Sequence, residues 1–209
     1  MMRKEEKTRC TYERIMSAAL VEFGTKSYEN ASLTTLCSEN QISKGLIYHN
    51  FKNKDELYLK CVERCFGEMT AYFKSREYKA QTVQESMNNL FQMRQQFFKE
   101  HPYDCNIFFH TVLQPPEHLR KEIQDIRQEY DQFYVECFGE LLQQLELREG
   151  ITMDAATEYF VIFFEMYNGY FQRRLSESED IHALMKDHEV NLSKILDIML
   201  YGVASQEKR

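Results

Sequence analysis

The scarcity of helix-breaking residues constrains this chain more than any other feature. Its 209 residues include only seven glycines and three prolines. Few breakers over such a length favour long helices and argue against a strand-rich fold. Hydrophobic residues make up 43% of the chain and charged residues 28%, a balance typical of packed rather than disordered proteins. The sequence therefore predicts an all-α protein with room for a small domain beside a larger one.

The charge is distributed unevenly along the chain. Residues 1–60 carry ten Lys/Arg and eight Asp/Glu, whereas the remainder has a net charge of −9. A mildly basic N-terminal segment followed by an acidic remainder suits a protein that contacts phosphate groups through its N-terminal part only.

Apolar runs indicate where the protein works in the cell. No run reaches the roughly 18 residues of a membrane span, and the first ten residues, MMRKEEKTRC, lack the apolar middle of a secretory signal. We expect a cytoplasmic protein without a membrane partner. In that reducing compartment the six cysteines should be thiols.

Two short helices are predicted between residues 33 and 50. Ser32 is a suitable N-cap for a helix over Leu33–Asn40, and Ser43 for a helix over Lys44–Asn50. Two short helices joined by a tight turn form a helix-turn-helix, whose second helix enters the major groove of DNA. The sequence therefore predicts a DNA-binding unit near the N-terminus.

Longer helices are predicted on both sides of this unit. One precedes it and another follows it as far as about Ser75, with apolar residues recurring every four positions from Leu57 to Phe73. The helices expected over the whole chain outside the motif are Thr11–Lys26, Leu57–Ser75, Thr82–Lys99, Tyr103–Leu113, Glu117–Leu147, Asp154–Leu175 and Ile181–Tyr201. The helix over Asp154–Leu175 is apolar almost all round, so it must be covered on more than one side.

The segment from Ser32 to Leu57, SLTTLCSENQISKGLIYHNFKNKDEL, resembles the DNA-binding signature of the TetR family. Order and spacing match over residues 10–60. At the turn, where the family usually has a small residue followed by glycine, this chain has Asn40 and Gln41. Asn50 occupies a position that is often aromatic. The apolar residues that would hold the motif together are retained.

The resemblance implies an N-terminal three-helix DNA-binding domain, residues 1–56, joined to a larger helical ligand-binding and dimerisation domain, residues 57–209. It implies a transcriptional regulator, by default a repressor, that binds palindromic double-stranded operator DNA as a homodimer. A small, largely apolar effector would release it, and no cofactor or metal is expected. The chain would not be an enzyme.

The resemblance also assigns DNA contacts to individual residues. Lys44 can reach a guanine edge or a phosphate, and Gly45 lets the helix backbone approach DNA closely. Hydroxyl, imidazole and backbone N–H groups at the other positions suit phosphate oxygens. The predicted DNA-binding residues are Ser32, Thr34, Thr35, Ser43, Lys44, Gly45, Tyr48, His49 and Lys54.

Two further sets of residues follow from the expected C-terminal domain. The candidate effector contacts are aromatic: Phe97, Phe108, Tyr130, Phe133, Tyr134, Tyr159, Phe163, Tyr167 and Tyr170. The candidate dimer contacts lie on the last two helices: Phe160, Phe164, Ile181, Met185, His188, Leu192, Ile195 and Met199. Each of these aromatic residues could instead be an ordinary core residue without ligand contact.

Four alternative functions remain open at this point. Cys61 and Cys65, one helical turn apart, would serve a redox sensor, although neighbours within a regular helix rarely bridge. His101, Cys105 and His110 would serve a metal sensor, although their spacing is not a recognised zinc pattern. An enzyme lacks support because no phosphate loop or nucleophile elbow is present. A helical interaction protein would leave the motif at residues 43–51 unexplained.

Overall fold

A computed structural model describes residues 4–177 and 180–203 of the chain. Within these ranges there are nine α-helices, a 3₁₀ turn at Glu117–Leu119 and no β-strand, which confirms the all-α prediction. The helices are α1 (Lys4–Thr25), α2 (Leu33–Asn40), α3 (Lys44–Asn50), α4 (Lys54–Lys74), α5 (Val83–Glu100), α6 (Pro102–Leu113), α7 (Arg120–Leu142), α8 (Met153–Ser176) and α9 (Ile181–Val203). The outermost parts of the predicted domains, residues 1–3 and 204–209, lie outside the described residues, as do residues 178–179.

Two predicted helices are wrong in extent. The first begins at Lys4 and not at Thr11. In place of a single helix over Glu117–Leu147, the 3₁₀ turn precedes α7, and α7 ends at Leu142. Its end tightens into i to i+3 hydrogen bonds, with the Leu145 N–H donating to the Leu142 carbonyl. Such bonds satisfy the last carbonyls of a helix but stop it from continuing.

The chain divides into two compact units. Unit 1 comprises Met1–Glu68 and Phe98–Arg127, and unit 2 comprises Met69–Phe97 and Gln128–Arg209. Unit 1 therefore contains the helix-turn-helix together with α6. The predicted boundary between residues 56 and 57 stays a prediction, because these units are defined by packing and not by independent folding.

Unit 1 is built around the contact of α1 with α6. A Cβ placed on Gly24 would lie 2.6 Å from the Tyr103 Cβ, so only glycine permits this approach. The Asn106 side-chain amide donates to the Gly24 carbonyl at 2.6 Å. Phe23 and Tyr58 pack edge-to-face nearby, with ring centroids 5.1 Å apart. These contacts hold α1 against α6.

Unit 2 has an aromatic core. Phe73 stacks on Phe133 at 5.9 Å between centroids, and Phe138 stacks on Phe160 at 3.9 Å. Helices α8 and α9 pack against each other. No helix in the described part of the chain is long and apolar enough to cross a membrane.

Candidate nucleic-acid interface and apolar cleft

The two caps predicted from sequence hold α2 and α3 in place. The Ser32 hydroxyl accepts from the Thr34 and Thr35 N–H groups at 3.2 and 3.4 Å, and the Ser43 hydroxyl accepts from the Leu46 N–H at 3.2 Å. Each cap satisfies donors that a helix start otherwise leaves open. The Ser32 N–H in turn donates to the buried Glu22 carboxylate at 2.7 Å.

The turn between α2 and α3 has a backbone conformation that most side chains avoid. Gln41 has φ 53° and ψ 39°, in the left-handed region. This region costs a non-glycine residue roughly 1–2 kcal/mol. The Arg14 guanidinium of α1 donates to the carbonyls of Asn40 at 2.7 Å and Gln41 at 3.2 Å. A brace from α1, which sequence reasoning missed, therefore supports the turn.

Helix α3 presents one side to the core of unit 1 and the other to solvent. Ile47 is buried, as are Leu36, Ile42 and Phe51 around it. On the opposite side Lys44, Gly45, Tyr48 and His49 are exposed, with 54% of Tyr48 accessible. The structure thus brings these four predicted DNA-binding residues together on one surface, which we call the α3 face.

Gly45 has no packing role inside the subunit. A Cβ added there meets nothing within 4 Å among the residues that the structure describes. Its backbone is exposed on the α3 face, where a missing side chain allows another molecule to come close.

The remaining predicted DNA-binding residues have other surroundings. Thr34 and Ser43 are exposed, whereas Ser32 and Thr35 are half-buried. Lys54 is also half-buried, with its ammonium 4.3 Å from the centre of the Tyr28 ring. Loss of hydration there lowers the pKa of Lys54. Lys54 therefore has a cation–π role within unit 1, in addition to any contact with DNA.

Comparison with known families decides the identity of the chain. Residues 15–61 match the model of bacterial regulatory proteins of the tetR family. Residues 81–204, more than half of the chain, match the model of the tetracyclin repressor-like C-terminal domain. The chain belongs to the TetR family. Members of this family are DNA-binding transcription regulators and not enzymes, so this TetR family protein is a transcriptional regulator.

Individual relatives are distant. The TetC protein of transposon Tn10 from Escherichia coli is 27% identical over 73 residues, which span 35% of this chain and 37% of TetC. The negative transcriptional regulator IcaR of the biofilm operon icaADBC from Staphylococcus epidermidis is 24% identical over 88% of this chain and 97% of IcaR. The structure of FadR from Bacillus subtilis in complex with stearoyl-CoA has a TM-score of 0.61 at 17% identity, over 87% of this chain and 97% of FadR.

The C-terminal part of this TetR family protein contains an apolar cleft. Its enclosed volume is about 20 Å³, within roughly 300 Å³ of empty space that includes open solvent. Four helices of unit 2 supply its walls, and the lining residues are Met87, Leu90, Phe91, Tyr134, Phe138, Leu141, Phe160, Phe164 and Leu196. Of the predicted effector contacts, Tyr134 lies in this cleft.

The other predicted effector contacts lie elsewhere. Phe108 is buried in unit 1, beside Phe66 and Phe98. Tyr159 and Tyr170 are about half exposed. The remaining five are buried or half-buried in unit 2 but do not line the cleft: Phe97, Phe133, Tyr130 and Tyr167 in its core, and Phe163 stacked on Tyr167. Aromatic residues at helical spacing share one side of a helix, but the sequence does not show whether that side faces a cavity or the core.

The predicted dimer contacts fall into two groups. Phe160, His188 and Leu192 are buried within the subunit, so they offer a partner almost no surface. The other five are half-buried: Phe164, Ile181, Met185, Ile195 and Met199. A stripe that the sequence analysis missed is more exposed. It comprises Tyr159, Ile162, Met166 and Tyr170 on α8 and Val190, Ile198 and Tyr201 on α9, and we call it the α8–α9 stripe.

A buried polar network explains the position of His188. The Arg94 guanidinium donates to the Glu189 carboxylate at 2.9 Å, inside unit 2. His188 contacts Glu189 at 3.2 Å and the Asn168 side-chain oxygen at 3.1 Å. Burial lowers the pKa of His188. Burial would raise the pKa of Glu189, but Arg94 and His188 outweigh it, and the net shift is downward.

The structure also bears on the redox and metal alternatives. Cys61 and Cys65 are buried, and loss of hydration raises the pKa of both thiols. A buried thiol with a raised pKa is a poor nucleophile, which disfavours these two as a redox sensor. Among the described residues, the His, Asp and Glu side chains placed closely enough to hold a metal ion are Glu68, His101 and Asp104. Cys105 and His110 are not in this group.

Proposed function

We propose that this TetR family protein is a repressor that binds palindromic operator DNA as a homodimer and leaves it when a small, largely apolar effector binds. The observation that carries the DNA-binding part is the α3 face. Lys44, Gly45, Tyr48 and His49 are exposed together on a capped helix whose other side is buried. The face combines a cation, two hydrogen-bonding side chains and open backbone, the groups that contact DNA in a major groove.

The homodimer is supported by the α8–α9 stripe. Met166 is 68% exposed and Ile198 is 69% exposed. Large apolar side chains exposed on two helices that pack against each other are typical of a subunit interface. A twofold dimer would read two half-sites, with recognition helices roughly 34–36 Å apart.

The effector is supported by the apolar cleft and by one structural neighbour. Apolar side chains and the ring of Tyr134 form its lining, and such a lining favours a largely apolar ligand. FadR from Bacillus subtilis was solved with stearoyl-CoA. Repression, rather than activation, is supported by IcaR, which is a negative regulator.

The operator test uses the full chain and its own upstream promoter DNA. We expect anisotropy titrations to give a Kd of roughly 10⁻⁸ M or tighter, against much weaker binding to random DNA. Affinity should fall steeply as salt increases, because phosphate contacts release counterions. Equal affinity for promoter and random DNA would contradict the proposal for that promoter, and native mass spectrometry would then reveal whether a copurified effector holds the protein off DNA.

Variants of the α3 face connect the binding to the site. Lys44→Ala and Tyr48→Ala should each weaken operator binding while the protein stays folded, since both side chains are exposed. Lys121→Ala is the matched control, because Lys121 is exposed at the start of α7 in the same unit. Unchanged affinity in both α3 variants would overturn the assignment of the DNA-binding surface.

A further inference from the structure

A histidine and two carboxylates converge in unit 1, away from the α3 face. Glu68 lies in α4, His101 is the N-cap residue of α6, and Asp104 is in the first turn of α6. One ligand atom from each lies within 4.8 Å of the other two. The His101 Nδ1 and an Asp104 carboxylate oxygen are 3.8 Å apart. His101 and Asp104 lie three residues apart at the start of α6, whereas Glu68 belongs to α4. The packing of α6 against α4 therefore brings Glu68 to the other two.

Asp104 is the most unusual member of the group. The residue is only 8% exposed, and its Oδ1 is buried without a hydrogen-bond partner among the described residues. A buried acceptor left without a donor costs roughly 1–3 kcal/mol. The Asp104 carboxylate therefore has a binding capacity that the surrounding protein does not use.

The charges around Asp104 favour a cation. The Glu68 and Asp104 carboxylates have ligand oxygens within 4.8 Å of each other, so two like charges share a small space. The Arg64 guanidinium donates to one oxygen of Glu68 at 2.7 Å, and a carboxylate held in this way still has an oxygen to offer. A cation between the carboxylates would turn a repulsive pair into an attractive one.

We propose that Glu68, His101 and Asp104 bind a divalent transition-metal ion, for which Zn²⁺ is the appropriate probe. One imidazole nitrogen with two carboxylate oxygens suits a borderline ion better than a purely oxygen-seeking one. Bonds of about 2.0–2.2 Å at tetrahedral angles place ligand atoms about 3.4 Å apart. The His101 and Asp104 atoms, 3.8 Å apart, need to close by a few tenths of an ångström, and the pairs with Glu68, which lie within 4.8 Å, by up to about 1.4 Å. Solvent completes the coordination, because the His101 and Glu68 side chains are each partly exposed.

The position of the site connects it with the DNA-binding unit. The metal would join α4 to the start of α6, and α6 carries α1 through the Gly24–Tyr103 approach. All three helices contribute to unit 1, which holds the α3 face. Metal binding therefore stabilises the unit that contacts DNA, by binding its folded state.

Calorimetric titration of Zn²⁺ into the full-length, tag-free chain, stripped with a chelator, tests the site. We expect one ion per chain and a higher unfolding temperature with metal. His101→Gln should weaken Zn²⁺ binding by more than the roughly 10–100-fold that outer-shell changes cost, and it should remove the thermal shift. Because His101 is partly exposed, this variant should fold, and circular dichroism verifies that it does.

Matched controls and a second metal exclude other ligands. His182→Gln and Glu158→Gln replace exposed residues of unit 2 and should leave Zn²⁺ affinity unchanged, whereas Glu68→Gln should lower it. The Cys65 sulfur lies 3.3 Å from the Asp104 carbonyl oxygen, so thiolate ligation needs its own readout. Cobalt(II) bound by nitrogen and oxygen shows no thiolate charge-transfer band. No Zn²⁺ binding by the unmodified chain, full affinity in His101→Gln, or a thiolate band would each overturn the proposal.

Discussion

Two residues of the helix-turn-helix, Gln41 and Gly45, depart from local backbone preference in opposite ways. Gln41 adopts a left-handed backbone where glycine would be relaxed, and Arg14 compensates by donating to the carbonyls of the turn. Gly45 is the opposite case. Glycine destabilises a helix relative to alanine, and no contact inside the subunit requires a residue without a side chain there. Folding alone explains the first arrangement, and the proposed close approach of DNA would explain the second.

Gly45→Ala should separate stability from DNA binding. Alanine favours the helix over glycine by about 0.5–1 kcal/mol, so urea unfolding should show a more stable protein. Operator affinity should drop by about tenfold or more, ~1.4 kcal/mol, because the methyl group occupies the space of close approach. Gly67→Ala in α4 is the control, since its Cβ also meets nothing within 4 Å among the described residues. It should stabilise without affecting DNA binding, and an equal loss of affinity in both variants would contradict the role of Gly45.

Gln41→Gly should relieve the strain in the turn. Glycine adopts φ 53° without steric cost, but it also has more freedom to lose on folding, so the net gain should be about 0.5–1 kcal/mol. Urea denaturation followed by circular dichroism measures this gain. A loss of stability would mean that the Gln41 side chain contributes contacts that outweigh its backbone strain.

Among the elements, α9 combines a buried polar side with an apolar exposed one. Its His188 and Glu189 join Arg94 of α5 in the core of unit 2, while Val190 and Ile198 face outward. Removing one partner of a buried ion pair destabilises a protein by more than the intact pair stabilises it. We expect the network to favour one packing of α9 on α5 and to make that packing sensitive to acid.

Acidification should destabilise the protein through His188 first. Burial lowers the folded-state pKa of His188 below its usual 6.5, so below that pH the unfolded chain binds more protons and the free energy of unfolding decreases. The Glu189 pKa is lowered from 4.5, so its contribution is present above that pH and is lost as the pH falls through the folded-state pKa.

Unfolding in urea at about pH 7.5 and pH 5.5 isolates the histidine contribution. The stability lost between these two conditions should be smaller in His188→Gln than in the unmodified protein. His182→Gln, an exposed histidine on the same helix, should lose as much stability as the unmodified protein. An identical loss in all three would show that His188 does not cause the acid sensitivity.

At the scale of the whole molecule, the α8–α9 stripe leaves a single subunit with large apolar side chains in water. Seven residues of α8 and α9 share this exposure, with Met166 and Ile198 the most accessible. Burial against a second copy would remove this surface from water and bring two α3 faces to one palindrome. Dimer formation and operator affinity should therefore be lost together.

Met166→Glu combined with Ile198→Glu should yield a folded monomer. Charges on the stripe would oppose their counterparts across a twofold interface, and the carboxylates would lose hydration there. Sedimentation velocity should show one subunit, and affinity for a palindromic operator should fall about a hundredfold or more, because the second half-site no longer adds its binding. Gln128→Glu, an exposed position on α7, should remain dimeric. A double variant that still sediments as a dimer would place the interface elsewhere.

Local features of the sequence predicted the helical class, both caps and the position of the helix-turn-helix. Few breakers, Ser32, Ser43 and the 3.6-residue spacing of apolar side chains act within a few residues of chain, so they can be read without the fold. The end of the helix predicted to reach Leu147 was wrong, because competing local hydrogen bonds end α7 at Leu142.

Contacts between distant residues required the tertiary structure. The Arg14 brace on the turn, the seat of α1 on α6 at Gly24, and the Glu68–His101–Asp104 cluster all join segments separated by tens of residues. The buried position of His188 and the walls of the apolar cleft also depend on contacts between distant residues. Helical periodicity identifies which side chains share a face, but only packing decides whether that face meets the core, a cavity, or the solvent from which a partner can bind.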